Sequence, residues 1–227
     1  MTSKALQERI ARRLRKAGAS HQPDLVQQLE RYLSFLTKWN SKINLTAFRL
    51  VEPSDEAIDR LLIEPVVAAA YIPDASRRII DIGSGSGSPA IPLLLAAPRL
   101  SGTMVESKTR KAVFLLEALR HLEVSSWTVE TARFEQLLTR ADLHEAFDGL
   151  TIRAVRMEKP ALLTLQAFVR PGGALYLFQA TQRRQMLDHS AFPLVEDRTI
   201  PLVESLSSSL KVVRKDVPRG TRSAEAS

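Results

Sequence analysis

The chain has 227 residues, 44% hydrophobic and 25% charged, with 32 basic against 25 acidic side chains and a formal net charge of +7. This composition suits a globular protein with a core that folds without staples, and the absence of cysteine excludes disulfides, cysteine-zinc sites and thiol nucleophiles. It also fits a reducing cytosol; no apolar run approaches the roughly 20 residues of a membrane span, and the basic balance favours polyanionic partners.

The N-terminus is basic (Lys4, Arg9, Arg12, Arg13, Arg15, Lys16) and could be mistaken for a transit peptide. Glu8 and the spacing of Leu6, Ile10 and Leu14 predict instead a retained amphipathic helix over 3–17, stopped by Gly18. A second helix is expected from Pro23, a suitable first helical position, with Leu25, Leu29, Tyr32, Leu33 and Leu36 on one face up to Trp39. After the polar segment Asn40 to Asn44, a third helix begins behind Ser54, an N-cap residue. It carries Ile58, Leu61 and Leu62 until Pro65 interrupts it. No strand alternates with these helices, so residues 1–70 are expected to form a helical cap packed on a second domain at 71–217.

From Arg77 onward, strand and helix patterns alternate. Strands are predicted at Arg78–Ile82, Gly102–Val105, Trp127–Thr131, Gly149–Arg153 and Ala174–Phe178. Helices are predicted between them at Pro89–Ala97, Thr109–Leu122, Phe134–Leu138 and Lys159–Val169. The alternation implies an α/β fold, a mostly parallel Rossmann-like sheet with helices on both faces. Pro171-Gly172-Gly173 reads as a turn feeding the fifth strand. Phe192–Glu196 and Leu210–Arg214 read as an antiparallel pair that closes the sheet. Residues 218–227 are polar and aperiodic and are predicted to be disordered.

The stretch with the most chemistry is Asp81-Ile82-Gly83-Ser84-Gly85-Ser86-Gly87, between an apolar strand and an apolar helix. Glycines there let the backbone take positive φ and approach a ligand closely, while the following helix aims unpaired N–H groups at it. The spacing is G-x-G-x-G, shorter than the dinucleotide fingerprint, and Asp81 suits an ammonium or a water network better than a phosphate. This loop resembles the first motif of class I S-adenosylmethionine-dependent methyltransferases. Glu106 ends the second strand about 20 residues on, where ribose hydroxyls need an acceptor in NAD and adenosylmethionine sites alike. A flexible connection and an exposed strand end are the bland accounts of the same residues. Phe134 and Glu135 follow the third strand, where this class contacts adenine. Phe134 stacks there or simply packs, and Glu135 accepts an adenine amino hydrogen or caps the next short helix.

The acceptor is narrowed by what is missing. The fourth strand lacks the Asp/Asn-Pro-Pro-aromatic motif of exocyclic amine methylation, and carbon-5 pyrimidine methylation needs an absent cysteine. Guanine N7 fits, since its in-plane lone pair carries no proton, and near-attack positioning alone can supply roughly 7–11 kcal/mol. Arg153 and Arg156, at the carboxyl end of the fourth strand, are candidates to grip a phosphate or the base's O6 edge, or are surface arginines.

These features together resemble the ribosomal small-subunit RNA guanine-N7 methyltransferases, the RsmG or GidB family, from about Leu25 to Arg214. Lys38-Trp39-Asn40-Ser41-Lys42-Ile43-Asn44-Leu45-Thr46 matches that family's Lys-Trp-Asn-x-x-x-Asn-Leu-Thr signature, and Asp81 to Pro92 matches its glycine loop, with Pro89, Ile91 and Pro92 retained. Glu106 to Leu115, Arg133-Phe134-Glu135 and Ile152-Arg153-Ala154 match further segments. The resemblance implies adenosylmethionine contacts at Gly83, Ser88, Phe134, Glu135 and Arg153, to which the loop reading adds Asp81, Gly85, Gly87 and Glu106. It implies active-site roles for Arg133 and Arg153 and no metal. It implies a cytoplasmic enzyme, read here as a monomer, that methylates a guanine of 16S ribosomal RNA, free or in the 30S particle. The departures lie mainly on the acceptor side: Leu61 stands where the family has histidine, Gln179 where it has lysine, and Ser208-Ser209 where it has Arg-His. Methylation of another RNA site or a small molecule, and a non-catalytic ribosome-assembly factor, are the competing readings.

Overall fold

The computed structural model describes residues 2–153, 159–180 and 194–217. Arg156, the start of the strand expected at Phe192, and the tail at 218–227 lie outside the described residues.

Helix α1 (Ser3–Lys16) starts at Thr2, whose hydroxyl accepts the Ala5 N–H, and buries Leu6, Ile10 and Leu14. Helix α2 (Pro23–Asn40) buries Val26, Leu29, Tyr32, Leu33 and Leu36. Val26 is fully inside and Leu25, expected on that face, is half-buried. The third helix departs from expectation. After α3 (Asp55–Ile58), capped by Ser54, the chain passes through a π turn (Asp59–Ile63) directly into α4 (Glu64–Ala69). Pro65 does not end the helix: the π turn carries the chain past it, and side chains from outside the helix donate to the Arg60 and Leu61 carbonyls.

The sheet has seven strands in the order β3-β2-β1-β4-β5-β7-β6. Strands β1 (Arg78–Ile82), β2 (Ser101–Val105), β3 (Trp127–Glu130), β4 (Phe147–Arg153) and β5 (Val169–Ala180) run parallel. Strand β7 (Ser208–Lys215) lies antiparallel to both β5 and β6 (Leu194–Pro201). The Pro171-Gly172-Gly173 run is not a turn before β5 but an irregularity inside it. Gly172 takes a φ of +78°, and the pairing with β4 shifts register between Phe147 and Gly149. Helices α5 (Ala90–Ala96), α6 (Thr109–His121) and α7 (Lys159–Gln166) follow β1, β2 and β4, α7 ending short of the expected Val169. The element at Phe134–Thr139 is a 3-10 helix.

Alternation along each strand feeds two cores. On one face Ile79, Met104, Tyr176, Phe178 and Val212 pack with α1, α2, α4, α5 and α6. On the other Ile80, Ile82, Val105, Leu150 and Ile152 pack with Leu137, Leu143, Leu162 and Phe168. The N-terminal helices thus share one continuous core with the sheet, each fully buried large side chain contributing about 1.5–3 kcal/mol. Among the described residues no helix is long and apolar enough to cross a membrane, and no acidic or histidine cluster could hold a metal.

Candidate functional site at the strand tips

The order 3-2-1-4 sets the carboxyl ends of four neighbouring strands in a row. Each tip carries residues singled out from the sequence: Phe134 and Glu135 beyond β3, Glu106 beyond β2, the glycine loop beyond β1, and Arg153 ending β4.

The loop is held by its own backbone. Gly83 and Ser84 donate to the Val105 carbonyl at 2.9 and 3.1 Å, and Gly87 donates to Ser84 at 2.6 Å. Gly83 has a φ of +73°, and a Cβ added there would meet no atom within 4 Å, so the turn opens onto free space. Gly87 is required for the opposite reason. At φ +87° its Cβ would lie 2.6 Å from the Ile91 Cδ1, so the loop could not close onto α5. Tyr32, fully buried in α2, donates its hydroxyl to the Ser86 carbonyl at 2.7 Å. Glu106 is buried and links two tips, accepting the Gly85 N–H at 3.0 Å and the Lys108 N–H at 2.8 Å.

Asp81 is inaccessible to solvent. Its Oδ1 accepts the Thr151 hydroxyl at 2.6 Å, but Oδ2 has no donor. Burial pushes its pKa above the ordinary aspartate value, against the hydroxyls of Ser84 and Thr151 and the charge of Arg153. A buried carboxylate oxygen without a donor, below an open glycine turn, suits a ligand that brings a cation or an N–H group. The residues therefore fit the cationic nucleoside expected from the sequence.

Arg153 and Ser88 turn their side chains toward the helical layer. Arg153 Nη1 donates to the Arg60 carbonyl at 2.6 Å and to Ser88 Oγ at 3.2 Å, while Nη2 stands 2.7 Å from Glu64 Oε2. Its guanidinium lies 4.9 Å from the Phe178 ring centroid, within cation–π range. Burial lowers the Arg153 pKa, and Glu64 opposes that shift. Ser88, also buried, donates to the Leu61 carbonyl at 2.8 Å. Phe134 is half-buried and packs against the second core; Arg133 and Glu135 are exposed. The cap of the short helix comes from Gln136 rather than Glu135, its Oε1 accepting the Arg133 N–H at 3.0 Å.

The signature at 38–46 shapes a turn. Asn40 Oδ1 accepts the N–H groups of Leu45 and Thr46 at 2.9 and 3.0 Å, and Trp39 packs edge-on to Phe114 with centroids 5.8 Å apart. Two departures meet across the β5–β7 ladder, where Gln179 faces Ser209 and Ala180 faces Ser208. Sequence reasoning did not single out Glu64, Thr151 or Tyr32 as site residues. The available signal was an acidic side chain on the apolar face that carries Ile58, Leu61 and Leu62.

The family model for GidB, described as rRNA small subunit methyltransferase G, matches residues 25–204. A protein of Xanthomonas euvesicatoria named ribosomal RNA small subunit methyltransferase G is 41% identical over 147 residues, covering 65% of this chain and 65% of that protein. The match thus spans just under two thirds of that relative's length. A protein of the same name from Sorangium cellulosum is 30% identical over 214 residues, covering 92% of this chain and 87% of its own. Among solved structures, a SAM dependent methyltransferase from Aquifex aeolicus shares the fold with a TM-score of 0.53 at 11% identity, over 70% of this chain and 93% of that one.

Proposed function

Because the chain belongs to the rRNA small subunit methyltransferase G family, we propose that it moves a methyl group from S-adenosylmethionine to N7 of a guanine in 16S ribosomal RNA. One observation carries the reading: the family match runs through a glycine turn whose neighbouring tips hold a donor-deficient carboxylate and a second buried acid. The cofactor supplies an electrophilic methyl group on a sulfonium sulfur, and the N7 lone pair needs no base to free it.

The chain's own residues bind, orient and exclude water. Asp81 Oδ2 offers an acceptor to the amino-acid end of the ligand. Glu106 offers the ribose an acceptor already aligned by two backbone N–H groups. Gly83 leaves room for close approach of the backbone, and Phe134 with Glu135 serves the adenine side. Catalysis of this kind is mainly placement and electrostatics. Arg133, exposed beyond β3, is free to meet a phosphate.

The RNA partner is supported by exposed cations near the crevice. Lys108 and Arg110 open α6 just beyond Glu106, and Lys38 and Lys42 close α2 beside it, across the Trp39–Phe114 contact. Such a rim attracts a phosphate backbone. The substrate is RNA alone or within the small-subunit particle, and the enzyme acts as a cytoplasmic monomer. The test is mass mapping of ribosomal RNA from a strain lacking this chain. One N7-methylguanosine should disappear and return with a plasmid copy; unchanged modification would overturn the proposal.

A further inference from the structure

In an α-helix the carbonyls of Arg60 and Leu61 would receive the N–H groups of residues 64 and 65. Glu64 sends its N–H to the Asp59 carbonyl instead, and Pro65 has none to send. Carbonyls stripped of those donors inside a packed helix need replacements. Both replacements come from the crevice: Arg153 Nη1 reaches Arg60 at 2.6 Å and Ser88 Oγ reaches Leu61 at 2.8 Å. Glu64 lies on the same turn and is fully buried. One of its oxygens is 2.9 Å from Arg60 Nη1, and the other is 2.7 Å from Arg153 Nη2. A single helical turn therefore grips the tip of β4 and the far end of the glycine loop together.

We propose that this turn is a positioning device for the cofactor crevice, in which Glu64 and the carbonyls of Arg60 and Leu61 hold Arg153 and Ser88, and so the rim formed by β4 and the loop. The inference rests on the cofactor reading given above. Glu64 is a positioning residue that acts through Arg153. A neutral side chain at position 64 would leave two guanidinium groups facing each other without their shared counter-charge, and repulsion would release the β4 tip. Asp59 supplies a control from the same helix interruption. It is equally inaccessible and is also ion-paired, but it faces Arg13 of α1 and Ser205.

The experiment is calorimetric titration of S-adenosylhomocysteine into the wild-type chain, Glu64→Gln, Asp59→Asn and Ser88→Ala, with a melting temperature for each. Glu64→Gln should bind about tenfold more weakly, and Ser88→Ala a few-fold more weakly with little change in melting. Asp59→Asn should melt as early as Glu64→Gln yet bind within about twofold of wild type. The proposal is overturned if Glu64→Gln and Asp59→Asn lose affinity alike, or if Glu64→Gln and Ser88→Ala both bind as wild type does. Should Glu64→Gln fail to fold, Glu64→Asp with Ser88→Ala decides in the same terms: weaker binding than wild type in both supports the device, and unaltered binding in both overturns it. No heat from the wild-type chain would overturn the cofactor reading itself.

Discussion

Under the function proposed above, Asp81 trades stability for binding. Its Oδ2 is buried without a donor, a cost of about 1–3 kcal/mol for such a group. Because burial raises its folded pKa above the ordinary 3.8, its contribution to stability is complete below that unfolded value and is lost as pH rises through the folded one. Asp81→Asn should therefore be at least as stable as wild type at neutral pH, with the advantage shrinking as the solution is acidified. Denaturant melts at several pH values check this. The same variant should bind S-adenosylhomocysteine about tenfold more weakly, since it loses a charge-assisted acceptor. Asp81 and its glycines were legible in the sequence because a tight turn constrains its own residues. Thr151, the donor to Asp81, and Glu64, the counter-charge of Arg153, were not, because no local pattern announces a partner on a distant strand or helix.

Among the elements, α1 was read as an amphipathic helix with a basic outer face, and two of the arginines on that face pair with carboxylates of the third helical stretch. Arg9 holds Asp55 at 2.8 Å through Nε, and Arg13 grips the buried Asp59 with Nε and Nη2. Arg13→Ala should destabilise the chain by about 3 kcal/mol, because it strands a buried carboxylate; chemical denaturation measures it. Arg9 is the main cause of the lowered Asp55 pKa, so this pair adds stability above the unfolded value of 3.8 and loses it as pH falls through the lower folded one. Hydrogen exchange in α1 should accelerate over that acid range before it does in β1. Helix positions were legible from periodicity, but the helix interruption was not. Proline reads as a stop, and only the packed neighbours Arg153 and Ser88 show why the helix continues through it.

For the whole molecule, the strand–helix alternation was enough to place β1 to β5, since parallel neighbours require crossover connections. The antiparallel pair read at 192–196 and 210–214 is present as β6 and β7, but its order was not legible: the later strand, β7, lies against β5, and the earlier one takes the outer edge. The cations along the α2–α6 seam belong to this scale as well. Replacing Lys38, Lys42 and Arg110 together with alanine should lower the slope of log affinity for RNA against log salt by about 2. Affinity for S-adenosylhomocysteine should stay unchanged. Filter binding across a salt series reads the first, calorimetry the second.

The slot filled by β7 has a consequence during synthesis. Residues 194–201 leave the ribosome before 208–215, yet among the described strands β6 borders β7 alone. Until translation delivers that last ribbon, the nascent polypeptide carries a bare flank on β5 and a loose neighbour with nothing to join. Both are sticky to other unfinished chains. A ribosome stalled just short of Ser208 should thus yield clumping fragments, whereas one released after Lys215 can seal the gap in a single step.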